Sequence, residues 1–432
     1  MNESGFHALI DNSGSFELRK AMERLRDGLF DPLGVKLFTI GEAKLYKVFE
    51  KGINDLKAQK SAHLCVCGDY GQGKSHALNY IKQQACAKNF VTSYINLDPR
   101  HVPFHNFKYV YKAMAEAIEF PDKQPFVSVW KVLADKWLGL PENDNKTIQD
   151  LIPKEIPHRF KSILTAIAQN NISIPLKKKK LKKHVRFKPR EFPWILKNAL
   201  MGKNIPVWKL RSALYYRQVS FYKESSLVLK EQEQYILLVQ GLAKLFKKIG
   251  FNGWVVLFDE GESIAQTPIT CRCKSYKLLN KIFSFKDKDQ KFYPVFAFTN
   301  DFFLQLADED YDRFKKSKNE FSEKTLYFDK NYSKAWNNLN IHRLFDISSK
   351  NWKILIKRLI KVHTIAYNWK PLSSIEEKIN QEMSQYTAME NRLKLKFLVN
   401  FLDIEQQSQV TKNFITTTGR LGLSPVSTHN KL

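Results

Sequence analysis

The sequence predicts an α/β fold built on a parallel sheet, and three observations lead to this prediction. Four short apolar runs, typical of buried strands, occur at residues 63–67, 91–97, 254–258 and 293–298. Helix-periodic stretches separate them, and this alternation is typical of parallel strands joined by crossover helices. A glycine-rich turn and then a helix follow the first run directly, which is the usual position of a phosphate-binding loop.

Length and composition exclude several classes of protein. The chain has 432 residues, of which 43% are hydrophobic and 13% aromatic, so we expect more than one domain and a sizeable core. No apolar run approaches the roughly 18 residues that cross a bilayer, and the polar opening segment lacks a secretory signal pattern. Five cysteines in so long a chain do not form a disulfide framework. We therefore expect a soluble protein of a reducing cytoplasm.

The charge is strongly positive and unevenly distributed. Lys and Arg number 70 against 43 Asp and Glu, which gives a net charge of +27. Residues 171–230 alone hold 16 Lys and Arg but only 2 Asp and Glu. A balance of this sign favours a polyanionic partner, either nucleic acid or an acidic membrane surface.

The first part of the chain predicts helices and then alternating strands and helices. Residues 16–58 indicate two helices around a turn-rich segment, 30–42. The elements predicted next, in chain order, are a strand at 63–67, a helix at 75–86, a strand at 91–97 and a helix at 107–119. Residues 121–230 then break this alternation, with scattered prolines and a lysine-rich run.

The alternation returns after the break. The predicted elements are a helix at 232–248, a strand at 254–258, a helix at 275–285, a strand at 293–298 and helices from 348. Composition then divides the chain into a helical N-terminal segment (1–60), an α/β core (61–120 and 231–345), a basic and mainly helical insertion (121–230), a helical lid (346–407) and a flexible tail (408–432).

Residues 68–75 read GDYGQGKS and fit the pattern G-x-x-x-x-G-K-[ST] between a strand and a helix. The glycines let backbone N–H groups surround phosphates, Lys74 neutralises the β- and γ-phosphate oxygens, and the Ser75 hydroxyl can ligate Mg²⁺. An ordinary glycine-rich turn is the alternative. The predicted nucleotide-binding residues are Gly68, Asp69, Tyr70, Gly71, Gln72, Gly73, Lys74, Ser75 and His76, although His76 fits a packed helix position equally well.

Two further strands end in polar residues. The apolar run WVVLF is followed by Asp259 and Glu260, which suit a metal-bound nucleotide: Asp259 can hold Mg²⁺ through water, and Glu260 can orient or deprotonate the attacking water. The next strand ends at Thr299 and Asn300, either of which can hydrogen-bond the γ-phosphate or the water, because the carboxyl ends of parallel strands line the ligand crevice. The alternatives are a strand end leaving the core and simple turn chemistry.

These strings together resemble a known family. GDYGQGKSHALNYI, WVVLFDEGESI, SYKLLNKIF and FAFTNDFF look like segments of the ATPases of BREX-type bacteriophage-resistance loci. FDPLGVKLFTIGEAKL and NRLKLKFLVNFLDI resemble an upstream segment and a C-terminal lid helix of the same family. The resemblance covers about residues 16–120 and 235–405. It implies an AAA+-like, three-layer P-loop NTPase core with a helical lid, related to the origin-recognition ATPases, that uses ATP and Mg²⁺.

The resemblance implies roles for residues outside the phosphate loop. Val35, Phe38 and Ile40 would lie near the adenine. Arg392, at the start of the lid helix, would sense the γ-phosphate. Arg343, or failing that Arg313, would act as a finger supplied to a neighbouring subunit, which makes a homo-oligomer one possibility; the alternative for each is a surface arginine.

The basic insertion is open to three interpretations. A solvated loop is one, a nucleic-acid surface is the second, and a membrane-surface or protein-docking segment is the third. Charge and rings interleave at Arg186, Phe187, Lys188, Arg190, Trp194 and Trp208. The two tryptophans are expected in the core more often than in base stacking.

The leading hypothesis is therefore an ATPase that drives a conformational cycle on nucleic acid, DNA rather than RNA, or on a partner complex. By resemblance its setting is bacterial phage defence, with other defence-system proteins as partners and no membrane association. The alternative is a DNA-bound scaffold that switches on ATP binding and turns over little.

Overall fold

The computed structural model describes residues 3–169, 189–219, 224–229, 232–284, 291–319, 330–385 and 389–420. Its helices and strands are mixed along the chain, and the predicted α/β class is confirmed. Contacts divide the protein into two units, each described by itself. The sheet unit contains the described parts of Lys44–Asp69 and Ile81–Leu344, and the helical unit contains the described parts of Met1–Ala43, Tyr70–Tyr80 and Phe345–Leu432.

The elements are numbered in chain order. The strands are β1 Leu64–Cys67, β2 Val91–Asn96, β3 Ile118–Glu119, β4 Trp254–Asp259, β5 Phe292–Phe298 and β6 Ile341–Arg343. The helices of the first half are α1 Glu3–Asp11, α2 Ser15–Asp27, α3 Pro32–Phe38, α4 Ala43–Lys57, α5 Lys74–Ala87, α6 Phe107–Glu116, α7 Phe126–Leu138, α8 Ile148–Leu151 and α9 His158–Ala168. Those of the second half are α10 Phe192–Leu200, α11 Val207–Tyr216, α12 Gln232–Lys248, α13 Ile269–Phe283, α14 Asn300–Asn319, α15 Tyr332–Ala335, α16 Ser349–Tyr367, α17 Ile375–Ser384 and α18 Asn391–Arg420.

The sheet has six strands in the order β3-β2-β4-β5-β1-β6. Only the short β3 runs antiparallel to its neighbour; the other described pairs are parallel. In register, Cys67 lies opposite both Phe298 and Arg343, so β1, β5 and β6 end at the same edge, and Asp259 ends β4 there too. This shared edge collects the polar residues that follow each strand.

One hydrophobic core supports the sheet unit. Strands β1, β4 and β5 are buried along their whole length, as expected for parallel strands covered on both faces. The helices between β3 and β4 contribute to the same core, for example through Trp130, Phe160 and Phe192. The region predicted as a basic insertion therefore packs its apolar faces against the sheet unit's other elements instead of forming a separate core.

A second core lies in the helical unit. It joins α1, α2 and α3 to α16, α17 and α18, and its buried residues include Leu18, Met22, Leu359 and Leu402. The helical spacing of six residues predicts the inward face of α16: Trp352, Leu355, Ile356, Leu359, Ile360 and His363. Four of them are buried, whereas Trp352 and Ile360 are only half-buried.

The structure differs from the predicted elements at several places, including strand β6 and helix α1, which were not predicted. The turn-rich segment 30–42 contains helix α3, because Asp31 accepts hydrogen bonds from the N–H groups of Leu33 and Gly34 and Pro32 occupies the first turn. The helix predicted to reach residue 119 ends at Glu116, and β3 follows it. Helix α18 continues to Arg420 although composition predicted an irregular tail from 408; residues 421–432 lie outside the described part.

None of the helices in the described ranges combines the length and apolar composition that a bilayer crossing requires. Within the same ranges, no three or more His, Cys, Asp and Glu side chains come together as a metal-binding group.

Candidate nucleotide-binding site

The phosphate loop, residues 68–75, leads from the end of β1 to the start of α5. In the sheet unit, the Gly68 N–H donates to the Phe298 carbonyl 3.2 Å away. Gly71 and Gly73 have φ angles of +78° and +96°, which side chains disfavour, and the Gly73 carbonyl accepts from Ala77 N in the first turn of the helix. The loop thus has the backbone conformation for which its pattern requires glycine.

Lys74 is buried at the N-terminus of α5. It is only 8% exposed, and its ammonium lies 4.8 Å from the centroid of the Tyr70 ring, which is itself 61% exposed. A cation over a ring face is stabilised by the ring's quadrupole, and the helix terminus adds a field that favours anions. Tyr70 therefore supports the amine that is predicted to meet the phosphates, a role the sequence pattern does not indicate.

A carboxylate also lies against the phosphate loop within the helical unit. A Cβ atom built on Gly71 would come 2.5 Å from Glu390 Oε2, so only glycine fits at this point. Glu390 immediately precedes α18. No motif predicted this contact, because the two residues are remote in sequence.

His76 joins α5 to the end of α3. Its Nε2 lies 2.7 Å from Thr39 Oγ1, and the Thr39 hydroxyl donates to the Val35 carbonyl at 2.5 Å. Because the Thr39 hydroxyl proton is donated to the Val35 carbonyl, the Thr39 oxygen can only accept from His76. The proton in that second hydrogen bond is therefore on the imidazole Nε2. Burial lowers the pKa of His76 to about 4, so the ring is neutral at pH 7. The structure thus places His76 as a packed, hydrogen-bonding residue.

The residues predicted near the adenine occupy different environments. Val35 and Phe38 are buried, at 3% and 7% exposure, and Ile40 is half-buried. Phe30 is 47% exposed, and its ring centroid lies 6.3 Å from that of His76. Phe30 therefore presents an accessible ring near the phosphate-loop helix, which sequence reasoning missed.

Arg392 contacts the turn after α2. Its Nη2 donates to the Gly28 carbonyl at 3.2 Å, and Gly28 has a φ of +72° with its Cα facing the guanidinium. A side chain at residue 28 would therefore displace Arg392. The predicted lid arginine is held in place by the chain segment that precedes α3.

At the sheet edge, both oxygens of Asp259 are engaged. The Tyr94 hydroxyl of β2 donates to Oδ2 at 2.5 Å, and the Glu260 N–H donates to Oδ1 at 2.9 Å. The residue is 5% exposed. Each carboxylate oxygen still has a further lone pair, so a metal-bound water can be held in a fixed direction. Tyr94 is a second residue that the sequence did not reveal.

Glu260 has an unusual backbone conformation. Its φ of 57° and ψ of 38° are left-handed, which costs a non-glycine residue on the order of 1 kcal/mol and is often found at functional sites. The next residue, Gly261, is pressed against β5, because a Cβ there would meet the Ala297 carbonyl at 2.5 Å. The tight Glu-Gly turn thus fixes the direction in which Glu260 leaves the strand.

A chain of hydrogen bonds runs along the same edge. Asn300 Nδ2 donates to Asp69 Oδ1 at 2.8 Å, and Arg343 Nη1 donates to Asn300 Oδ1 at 3.2 Å. Thr299 is 6% exposed beside them. The ends of β1, β5 and β6 are thereby linked, and Arg343 is bound to a residue of its own chain. Arg313 belongs to helix α14, and its side chain is not among those that the structure describes.

The insertion tryptophans contradict the expectation of burial. Trp194 is 60% exposed and Trp208 is 38% exposed. In α10 the inward positions are Phe192, Ile195, Leu196, Ala199 and Leu200. Helical spacing from Phe192 leaves Trp194 off that face, so the signal was present in the sequence. Arg186, Phe187, Lys188 and the rest of the run at 177–188 lie outside the described residues.

A family model described as BREX system ATP-binding protein BrxC/D matches residues 16–168 and 228–413, which is most of the chain. Residues 169–227 fall outside the match. Searches of curated proteins and of solved structures found no match.

Proposed function

Because this chain belongs to the family of BREX system ATP-binding proteins BrxC/D, we propose that it binds ATP through residues 68–75 and hydrolyses it with Mg²⁺. The observation that carries the proposal is the phosphate loop itself. It follows a buried strand, has left-handed glycines at two positions and ends at a buried lysine on a helix N-terminus. These features are those that bind a triphosphate.

The loop residues would divide the work of binding. Backbone N–H groups of Gly68 to Gly73 would surround the phosphates, and Lys74 would neutralise the oxygens on the β- and γ-phosphates. Tyr70 keeps the amine in place until the phosphates are bound. His76, through Thr39, fixes α5 against the segment with Val35, Phe38 and Ile40, and Phe30 supplies the exposed ring on the proposed adenine side.

The donor set suits Mg²⁺. Magnesium prefers hard oxygen ligands and usually takes one or two from the protein, with the rest from phosphates and water. Ser75 offers a hydroxyl and Asp259 a buried carboxylate with fixed orientation. When bound, the ion neutralises charge that develops on the phosphates. Tyr94 serves as a positioning residue for Asp259.

Hydrolysis is assigned to the residues at the sheet edge. Glu260 would orient or deprotonate the attacking water, and its strained backbone fixes its position. Asn300 and Thr299 would hydrogen-bond the γ-phosphate or the water. Arg343 contacts Asn300 in the same chain, so we assign it a role within its own subunit.

The lid side would respond to the state of the nucleotide. Glu390 lies against Gly71, and Arg392 follows it by two residues on the same turn. A γ-phosphate at the loop would repel the carboxylate and attract the guanidinium. Movement of α18 would then link ATP hydrolysis to the conformational cycle that we propose. Other proteins of the defence system, and nucleic acid at the basic insertion, are the proposed partners.

Substitution of the phosphate-loop lysine tests the proposal. Lys74→Ala should weaken ATP binding about 100-fold, because it removes the cation at the β- and γ-phosphates. Affinity is measured by titration of a fluorescent ATP analogue. Lys82→Ala is the matched control, since Lys82 is on the same helix but pairs with Glu119. Equal affinities of Lys74→Ala and the parent protein would show that residues 68–75 are not the ATP site.

A further inference from the structure

An exposed tryptophan lines an open cleft on α10. Trp194 is 60% exposed, and the cleft encloses about 400 Å³. Its other lining residues are Arg190, Glu191, Ile195 and Lys209. The cleft thus offers one accessible indole face, two cations and one carboxylate, in a volume that suits a small planar ring.

A second aromatic surface continues onto α11. Trp208 is 38% exposed, and the Lys209 ammonium lies 5.6 Å from its ring centroid. Arg211 and Tyr215 follow at helical spacing on the same face, and Tyr215 is 49% exposed. Cations and exposed rings therefore alternate across two helices that pack together.

The exposure of these rings is not caused by loosely packed helices. Helix α10 buries five other residues in the core, and Leu210, Ala213 and Leu214 anchor α11 in the same way. Elsewhere in the sheet unit, Trp130 and Trp254 are completely buried. Large apolar surface left in water is a cost that is often offset by binding. The two tryptophans are therefore held outward by well-packed helices.

The charge around the rings identifies the kind of ligand. Residues 189–219 contain six Lys and Arg but only one acid, Glu191. The phosphates of a polyanion are attracted to the cations, and planar bases can stack on the rings. Proteins combine these two interactions to bind single-stranded nucleic acid. A paired base inside a duplex has no free face for stacking. An acidic peptide or an anionic membrane would leave the indole face unused.

We propose that the cleft at Trp194 binds single-stranded nucleic acid by stacking a base on the indole, with Arg190 and Lys209 contacting flanking phosphates and Trp208 supporting a neighbouring base. The proposal deepens the nucleic-acid part of the proposed function and does not depend on ATP binding. The residues lie in segment 169–227, which the family model does not match. Stacking is tolerant of sequence, and no base preference is expected.

Binding of fluorescein-labelled dT20 to the full chain without nucleotide tests the proposal by anisotropy. Trp194→Ala and Trp194→Leu should weaken binding about 5- to 100-fold, whereas Trp194→Phe, which keeps a ring, should stay within about 3-fold of the parent. The slope of log affinity against log salt should not change in these variants. Arg190→Gln with Lys209→Gln should instead flatten that slope by about 0.7 per lost phosphate contact. Phe16→Ala, at a 76% exposed ring in the helical unit, is the control for loss of an exposed aromatic.

Four results would overturn the proposal. One is unchanged dT20 affinity for Trp194→Ala with its circular dichroism preserved. The second is that Trp194→Leu and Trp194→Phe lose the same amount of dT20 affinity. The third is that Trp194→Ala loses as much affinity for a 20-base-pair duplex as for dT20. The fourth is a loss seen only on vesicles containing phosphatidylserine. An intact ATP affinity in the same variants separates failure of this inference from failure of the ATP proposal.

Discussion

The segments that match the family and the segment between them use polar and aromatic side chains in opposite ways. In residues 16–168 and 228–413, Trp130 and Trp254 are buried, and the polar groups at the strand ends bind one another. In residues 169–227, tryptophans face outward and positive charge predominates. This difference supports the proposal that the matched segments handle ATP and that the segment between them binds a partner.

The difference also concerns rigidity. Asp259, Asn300 and His76 each have at least one short hydrogen bond to a named partner, so their directions are fixed before a ligand arrives. The rings at 194 and 208 are instead exposed on packed helices, and the Lys209 ammonium lies 5.6 Å from the centroid of the Trp208 ring. Fixed polar groups suit catalysis, which depends on preorganised direction, whereas exposed rings suit tolerant binding.

Glu260→Gln tests the first half of this comparison and should have the largest effect. It keeps the size of the side chain but removes the carboxylate that we propose positions water, so ATP should bind normally while phosphate release falls about 10²- to 10³-fold. Steady-state phosphate release and ATP affinity are measured together, with and without DNA. Glu50→Gln is the control, because Glu50 is a surface carboxylate that pairs with Lys88 and accepts from the Tyr46 hydroxyl.

This measurement also separates the two functional hypotheses. An ATPase predicts substantial parental turnover that the substitution abolishes. A nucleotide-gated scaffold predicts little turnover in both proteins. Parental turnover that survives Glu260→Gln unchanged would show that the catalytic carboxylate lies elsewhere.

The pH dependence of His76 gives the next largest effect. Its pKa is lowered to about 4 by burial, against 6.5 when unfolded, so the unfolded chain binds the extra proton between these values. Stability from the neutral ring is complete above about pH 6.5 and is lost as pH falls towards 4. At pH 4 the resulting loss in the free energy of unfolding is about 3 kcal/mol.

Urea unfolding at pH 7 and at pH 4.5, compared with His76→Gln, measures this contribution. Glutamine can still donate to Thr39 but does not titrate, so the variant should lose less stability over this range. Parallel pH profiles for the two proteins would contradict the assignment of a buried neutral imidazole.

The sequence predicted those features that depend on local pattern. Buried strands produce a contiguous signal, and β1, β4 and β5 lie where expected. Residues 68–75 connect β1 to α5, as the pattern predicted. Helix α3 was missed because Pro and Gly suggested a turn, although Asp31 before Pro32 is an N-cap signal. Tyr94 and Glu390 were missed because their partners are remote in sequence, and no periodicity records such pairs.

The burial of the insertion tryptophans was wrongly predicted for a different reason. Residue type favours a buried indole, but the spacing in α10 assigns the inward face to other positions. Position on the helix therefore decides exposure more reliably than residue type when the two disagree.

The smallest expected effect per residue concerns the lysine-rich run that precedes α10 in the sequence. Residues 177–190 hold nine Lys and Arg, most of which lie outside the described part of the chain. If they neutralise phosphates, replacing Lys177 to Lys180, Lys182 and Lys183 with Ser should flatten the salt dependence of duplex binding by about 0.9 per lost contact. All DNA sequences should be weakened alike, because phosphate contacts carry no base information.

The same six positions changed to Arg form the control, since charge is kept and the slope should be preserved. ATP turnover without DNA should barely change in either variant, because the run lies outside the residues assigned to ATP. An unaltered salt slope in the Ser variant would identify the run as a solvated loop. Single-strand binding that persists in that variant but is lost in Trp194→Ala would then assign recognition to the rings rather than to the charge of the run.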